Sequence, residues 1–271
     1  MTNYKQPSVF VPHGGGPMPL LGDKRHADMV EWLKHFQRDF VTTKPDAIVL
    51  VTAHWESEIT QITSSEAPEL LYDYYNFPPE SYEIKYPAPG HPALAKRIHD
   101  LLSDNGIKSE MNEKRGYDHG VFIPLKIMFP DADVPVVQMS VYSSQDPEAH
   151  IKLGEVLRSL RKDNILIVGS GLSFHSFGLF RGNPDGANAA SIPFHDYLKE
   201  SLVDTSDSIE RRRRLHNWTD APFARQVHQK EEHLMPLFVV AGAGLEEPCE
   251  EIFDGYVMDV RTSGYLFGKR S

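Results

Sequence analysis

Short apolar runs alternate along this chain with longer stretches in which apolar residues recur at helical spacing. The apolar runs are rich in β-branched residues, which is typical of strands buried on both faces of a sheet. The predicted strands lie at 8–12, 47–53, 134–142 and 165–168, with weaker candidates at 59–63 and within 252–267. The predicted helices lie at 25–40, 92–105, 120–129, 147–161, 192–203, 221–227 and 231–241. Strands that alternate with helices in this way imply an α/β fold, in which helices flank a central, mostly parallel sheet.

Nothing along the sequence divides it into separate domains. It has no internal repeat, no low-complexity linker and no change of composition that would mark a boundary. We therefore expect a single domain over residues 1–271, a length that buries enough surface to fold without disulfides. The segment 66–90 is rich in Pro, Tyr and Phe and lacks periodicity, so we expect an ordered loop that covers or borders a pocket.

Charge and cysteine content narrow the classes of function. Lys and Arg number 28 and Asp and Glu 38, so the formal net charge is −10, which argues against a nucleic-acid-binding surface. The one dense basic run, at 211–214, lies beside acidic residues and is interpreted as a solvated helix face. Cys249 is the only cysteine, which excludes an intrachain disulfide and a cysteine-based zinc cluster.

The sequence also lacks the common signals for membranes and export. No apolar run approaches the ~18 residues that suggest a membrane span. The first residues lack the long apolar core of a signal peptide. We therefore expect a cytoplasmic protein that binds neither a membrane nor nucleic acid.

Three of the 13 histidines share a structural context. His13, His54 and His175 each follow closely after a predicted strand. In open α/β sheets, ligands bind at the carboxyl ends of the strands, so these side chains are expected to converge there. Neutral imidazole is a good ligand for zinc and iron. The pattern therefore predicts a metal site at this end of the sheet.

Two further histidines are candidates for the same site. His233 is predicted to lie in the first turn of the helix at 231–241, where it is either a ligand or a capping residue. His119 follows Asp118 in a turn, where it is either a plain turn residue or a positioned acid or base. The remaining histidines fall on predicted polar faces or loops and are expected to be solvated: His26, His35, His91, His99, His150, His195, His216 and His228.

Two other catalytic motifs are matched only in part. HGGG at His13 is similar to an oxyanion-hole motif of lipases, and GLSFH around Ser173 is close to the G-x-S-x-G elbow of serine hydrolases. However, His175 takes the place of the last glycine, where a bulky side chain is disfavoured. His54 and Glu56 fit the H-x-E of zinc deaminases, but the single cysteine excludes the P-C-x-x-C that those enzymes need.

Five histidine motifs occur in order along the chain, namely HGGGP at His13, TAHWE at His54, GYDHG at His119, SGLSFH at His175 and EEHLMPL at His233. With this order the sequence resembles the class III extradiol ring-cleavage dioxygenases, and within them the DOPA 4,5-dioxygenase-like branch. The linking segments YPAPGHPALA and FPDADVPVVQMSV match in character as well. The resemblance therefore spans nearly the whole chain.

The resemblance implies a role for each of the five histidines. His13, His54 and His233 correspond to metal ligands. His175 corresponds to an active-site histidine that acts as a base or becomes a fourth ligand. His119 corresponds to a catalytic histidine that lines the substrate pocket. The protocatechuate branch uses a carboxylate as third ligand, and here Glu231 and Glu232 precede His233, but the DOPA-type branch favours the histidine.

The implied reaction is the opening of a catechol ring by O₂ at one divalent metal ion. Ferrous iron with open coordination positions suits this chemistry, and a neutral histidine can take and return the catechol proton. Zinc would occupy the same imidazoles but has no redox chemistry. A second hypothesis is therefore a zinc-binding protein without redox activity on the same scaffold, either a hydrolase or an interaction protein.

Overall fold

The computed structural model describes residues 5–182 and 184–268, and within them eight strands and ten α-helices. The strands are β1 (Ser8–Pro12), β2 (Ala47–Ser57), β3 (Thr60–Thr63), β4 (Ser109–Asn112), β5 (Val136–Tyr142), β6 (Ile165–Gly171), β7 (Cys249–Val257) and β8 (Val260–Phe267). The helices are α1 (Ala27–Lys34), α2 (Phe36–Phe40), α3 (Pro92–Asp104), α4 (His119–Met128), α5 (Pro147–Leu157), α6 (Phe177–Gly182), α7 (Pro184–Lys199), α8 (Ser208–His216), α9 (Ala224–Val227) and α10 (Met235–Ala243).

All eight strands form one sheet in the order β4-β3-β5-β2-β6-β1-β8-β7. The four central strands β5, β2, β6 and β1 run parallel to one another. β8 pairs antiparallel with β1 and with β7, and β3 pairs antiparallel with β5. The mostly parallel α/β sheet predicted from the alternation of strands and helices is confirmed, and its central strands end along one common edge.

The sheet has an apolar layer on each face. Val49 and Val51 of β2 pack in one buried cluster with residues of α3, α5, α7 and α10. Ile48 and Leu50, which point the other way, pack in a second cluster with residues of α1, α2 and α4. Burial on both faces explains why the central strands are continuous apolar runs. No helix in the described part of the chain combines the length and apolar character needed to cross a membrane.

Several predicted helices begin or end elsewhere than expected, among them the helix predicted at 192–203, which begins at Pro184 as α7. The helix predicted at 25–40 is divided at His35, whose backbone N–H bonds to Trp32 three residues back and so tightens the turn. The helix predicted at 231–241 starts only at Met235, because Pro236 has no N–H to donate and fits only the first turn. The placement of His233 inside this helix was therefore wrong, since it lies in the turn before α10.

Half of the histidines expected to be solvated are buried, which corrects that expectation. His26, His150, His195 and His228 are at most 2% exposed. His150 shows the reason: its Nε2 accepts a hydrogen bond from Tyr142 N at 3.0 Å, and its Nδ1 donates to Asp146 O at 2.7 Å. Burial lowers the pKa of His150 to about 4, so it is a neutral part of the core. The two partners of the His150 ring lie only four and eight residues away along the chain.

The basic run at 211–214 lies on α8, but its first residue departs from the expected solvated face. Arg211 is 1% exposed, and its guanidinium donates to the backbone carbonyls of Leu245 and Thr205 at 2.6 and 2.8 Å. The arginine therefore ties α8 to neighbouring loops. The arginines at 212–214 form ion pairs with glutamates, in keeping with a half-exposed face.

Helices α5 and α10 approach closely through two glycines. A Cβ atom at Gly154 would lie 1.9 Å from Val239 O, and one at Gly242 would lie 2.0 Å from Ile151 O. We expect Gly242→Ala to lower the free energy of unfolding by about 1–3 kcal/mol, because the helices must separate to admit the methyl group. Urea denaturation measures the change.

The control for this prediction is Gly178→Ala on α6, where the nearest atom to an added Cβ is 4.0 Å away. This variant should unfold within about 0.5 kcal/mol of the unchanged protein. Equal stability of the Gly242→Ala and Gly178→Ala variants would contradict the close packing of α5 on α10.

Candidate metal centre

Five histidine side chains meet at the carboxyl edge of the central strands. His13 follows β1 directly, and His54 lies near the end of β2. His175 comes four residues after β6, His119 opens α4, and His233 lies in the turn before α10. The convergence of His13, His54 and His175 that the strand-end positions predicted is present in the structure, and the two other candidates join it.

Local irregularities of the backbone bring these residues together. β2 and β5 pair regularly up to Val51, but the next pair joins Glu56 to Val141, so β2 bulges around His54. The turn that carries His233 packs directly on the end of β6. Leu172 N donates to His233 O at 3.1 Å, and a Cβ atom at Gly171 would lie 2.1 Å from that same oxygen. Only glycine permits this approach.

The imidazole rings are in mutual contact. The Nε2 atoms of His13 and His54 are 3.0 Å apart. The ring of His233 has its centroid 5.2 Å from that of His13 and 4.8 Å from that of His54. His119 lies 3.8 Å from His54 between centroids, and His175 is stacked on His233 at 3.5 Å.

The proton position on His13 follows from its neighbour Ser170. The Ser170 hydroxyl donates its proton to the carbonyl of Gly120 in a short hydrogen bond. The same oxygen lies 3.0 Å from His13 Nδ1 and must therefore accept a hydrogen bond from it. His13 thus carries its proton on Nδ1, and the lone pair of Nε2 faces the other imidazoles.

The carboxylates of Asp73 and Glu232 lie beside the Nδ1 atoms of the other four histidines. Asp73 Oδ1 accepts hydrogen bonds from His119 N at 2.9 Å and from His119 Nδ1 at 2.7 Å, and Asp73 Oδ2 is 4.0 Å from His54 Nδ1. Glu232 Oε1 lies 2.9 Å from His233 Nδ1 and 3.3 Å from His175 Nδ1. Carboxylates placed behind imidazoles are the usual outer partners of metal-binding histidines.

Asp73 also locates the loop at 66–90. Besides Asp73, this loop brings Tyr74 against His119, with 5.9 Å between ring centroids. Within the loop the only regular element in the described residues is the short 3₁₀ turn Pro79–Glu83. The expectation that this aromatic, aperiodic segment borders the pocket is therefore confirmed.

Burial and mutual repulsion keep the central imidazoles neutral. Burial is the main cause that lowers the pKa of His13, His54 and His233 well below 6.5, and the neighbouring histidines lower it further. Burial acts to raise the pKa of Asp73, but the hydrogen bonds from His119 and the charges of His119 and His54 together lower it, so this carboxyl stays ionised. Neutral imidazoles backed by anionic carboxylates are suited to bind a cation.

The donor atoms fit a divalent transition metal. Ligand atoms of His13, His54 and His119 lie within 4.8 Å of one another, and so do those of His175, Glu232 and His233. Imidazole nitrogens with carboxylates nearby suit iron or zinc. The structure thus places His119, as well as His233, beside the pair formed by His13 and His54.

The residues that resemble a serine hydrolase do not form its active site. Ser173 is 2% exposed, and its Oγ accepts a hydrogen bond from Ser263 N at 2.9 Å. A buried hydroxyl engaged with the backbone is not an accessible nucleophile. This agrees with the expectation that the G-x-S-x-G match is incomplete.

Most of the residues that hydrogen-bond to the histidines were not predicted from the sequence. Ser170 lies two residues beyond the strand predicted at 165–168, and Asp73 lies in a loop without periodicity, 46 positions from the histidine that it binds. Glu232 was noted as an alternative ligand rather than a partner of Nδ1 atoms. The only local signal is its position next to His233.

The chain is similar to known aromatic ring-opening dioxygenases over most of its length. Residues 7–264 match a family model described as the catalytic LigB subunit of aromatic ring-opening dioxygenase. The chain is 40% identical to dioxygenase tasH of Hapsidospora irregularis, with 97% of this chain and 85% of that protein covered. It is 36% identical to the 4,5-DOPA dioxygenase extradiol of Beta vulgaris, with 94% of each covered.

Bacterial proteins show the same likeness. The 4,5-DOPA dioxygenase extradiol of Escherichia coli K12 is 34% identical, with 90% of this chain and 87% of that protein covered. The crystal structure of an uncharacterized protein from Escherichia coli K12 superposes with a TM-score of 0.77 at 30% identity. It covers 97% of this chain and 100% of its own.

The lowered pKa values of His13, His54 and His233 predict a stability that depends on pH. In the unfolded chain these groups return to about 6.5, so below that pH the unfolded state binds more protons than the folded state. We expect the free energy of unfolding of the metal-free protein to fall from about pH 7 to about pH 5.5, by at most about 1.4 kcal/mol per histidine and pH unit.

Urea denaturation over this pH range tests the prediction. His54→Gln should reduce the pH-dependence, whereas His216→Ala, which removes an exposed histidine, should leave it unchanged. A free energy of unfolding that stays constant over the range would contradict the burial of neutral imidazoles.

Proposed function

Because the chain belongs to the LigB family of aromatic ring-opening dioxygenases, we propose that it opens the ring of a DOPA-like catechol with O₂, using ferrous iron. Family membership and the dioxygenase relatives make it a metal-dependent extradiol dioxygenase whose substrates are O₂ and a small aromatic molecule. The convergence of five imidazoles on one buried space carries the proposal. The names of the plant and bacterial relatives support a catechol. In this proposal residues 1–271 act as one catalytic domain.

The proposed metal ligands are His13, His54 and His233. The first two present Nε2 atoms 3.0 Å apart, and the ring of His233 lies within 5.2 Å of both rings. His119 is equally near but also contacts Asp73 and Tyr74 of the pocket loop. These contacts support a position for His119 at the boundary between the pocket loop and the substrate-binding space.

When bound, ferrous iron supplies the open coordination positions and the electrons that allow O₂ to react with a catechol. The protein contributes the handling of protons. His175 turns its Nδ1 toward Glu232, so its Nε2 is free to take a proton from a catechol hydroxyl and to return it. His175 is therefore the proposed base. Because its ring is stacked on that of His233, it also lies close enough to the metal ligands to become a fourth ligand.

The alternative of a zinc-binding hydrolase or interaction protein is not favoured. Zinc would be held by the same imidazoles, but it cannot share electrons with O₂. The matching family model and the three relatives named above as dioxygenases all point to ring-opening chemistry. The metal therefore decides whether the protein is active, and zinc-loaded protein serves as the inactive comparison.

The proposed reaction is tested directly with metal-loaded protein. Apo-protein is loaded anaerobically with Fe²⁺ and mixed with catechols that carry side chains of different charge, while O₂ uptake and the yellow ring-opened product are recorded. We expect one O₂ to be consumed for each ring opened, and no uptake with zinc-loaded protein or with a catechol methylated on one hydroxyl. Absence of uptake with every catechol, despite bound iron, would refute the proposal.

Substitution of single histidines separates metal retention from chemistry. We expect His13→Ala and His54→Ala to lose both the metal and the activity. His175→Ala and His119→Ala should keep most of the metal but lose about 10²–10⁴ in rate, because each removes a positioned acid–base group. Metal content and O₂ uptake are measured on the same samples, with His216→Ala as the exposed control. If His175→Ala empties the site as His13→Ala does, His175 is a true fourth ligand and the proposed division of roles fails.

A further inference from the structure

Glu232 joins two histidines of the metal centre through a single oxygen atom. Its Oε1 lies 2.9 Å from Nδ1 of His233 and 3.3 Å from Nδ1 of His175. The two rings are stacked, with centroids 3.5 Å apart and planes inclined by 17°. Both rings therefore direct Nδ1 at the same carboxylate oxygen.

The chemistry of the contact fixes the proton on each ring. A carboxylate oxygen can only accept hydrogen bonds, so both Nδ1 atoms must donate. Each neutral ring then has its lone pair on Nε2, which is the form that binds a metal or accepts a substrate proton. Glu232 Oε1 is therefore the shared acceptor of both rings.

The backbone around Glu232 is anchored on both sides. Glu231 N donates to Gln145 Oε1 at 3.1 Å, and Leu172 N donates to His233 O at 3.1 Å. The side chain of Glu232 is itself 13% exposed. The backbone that carries Glu232 is therefore fixed on both sides, which limits where its carboxylate can reach.

We propose that Glu232 is a positioning residue that serves metal retention through His233 and proton transfer through His175. The inference rests on the proposed function, because the roles of the two histidines come from it. What is new is that one carboxylate links two functions, because it orients both the histidine that binds the metal and the histidine that moves the proton. Glu232 itself touches neither the metal nor the catechol in this account.

Zinc affinity tests the first half of the proposal without any ring cleavage. Apo-protein is titrated with Zn²⁺ against a chromophoric chelator. We expect Glu232→Gln to weaken Zn²⁺ binding about 10- to 100-fold, as removal of an outer carboxylate usually does. The matched control is Glu231→Gln, whose carboxylate pairs with Arg225 at 2.7 Å instead of a histidine, and which should bind Zn²⁺ like the unchanged protein.

A double-mutant cycle tests the second half. At saturating Fe²⁺, Glu232→Gln should lower kcat at least about tenfold with little change in KM. When His175 is already replaced by alanine, Glu232→Gln should lower kcat no further, yet it should still weaken Zn²⁺ binding through His233. Independent, additive losses of kcat would overturn the link through His175.

The remaining outcomes separate the proposal from the proposed function. Unchanged Zn²⁺ affinity in Glu232→Gln would overturn the positioning role. Complete loss of Zn²⁺ binding, as in His13→Ala, would make Glu232 a ligand and also overturn it. If iron-loaded protein opens no catechol but Glu232→Gln still weakens Zn²⁺ binding, the proposed function fails while the contact with His233 stands.

Discussion

The burial of several imidazoles against one another is the constraint on which this structure depends. The Nε2 atoms of His13 and His54 are 3.0 Å apart in a space closed to solvent around His13. Two lone pairs at that distance repel each other unless a proton or a cation lies between them. One proton removes the repulsion between one pair of nitrogens. A divalent cation bound by three or more imidazoles removes the repulsion among all of them. The partners Ser170, Asp73 and Glu232 contact the Nδ1 atoms of the rings. A cation that removes the repulsion must therefore bind between the rings.

The fold meets this constraint with parts that are distant in sequence. The parallel strands deliver His13 and His54 to one edge, and the bulge of β2 sets the direction of the second ring. Gly171 lets the turn of His233 lie directly on β6. The loop at 66–90 adds Asp73 and closes one side. The site therefore depends on close backbone contacts as much as on the histidines themselves.

The central strands and the first three candidate histidines could be predicted because they follow local rules. Apolar β-branched runs mark buried strands, and residues just after parallel strands gather at one edge. His119 and His233 could be named as candidates from their turn positions, but only the motifs gave them roles, since a turn position carries no periodic signal. The role of Asp73 and the burial of His150 could not be predicted, because both depend on contacts made only in the folded chain.

The coordination of a bound metal tests the central claim most directly. The X-ray absorption spectrum at the zinc edge, recorded on protein loaded with one equivalent of Zn²⁺, reports which side chains surround the ion. We expect a first shell dominated by nitrogen, with the outer-shell scattering of about three imidazole rings. A shell made mainly of oxygen, or scattering from a single imidazole, would contradict the assignment of this histidine cluster as the metal centre.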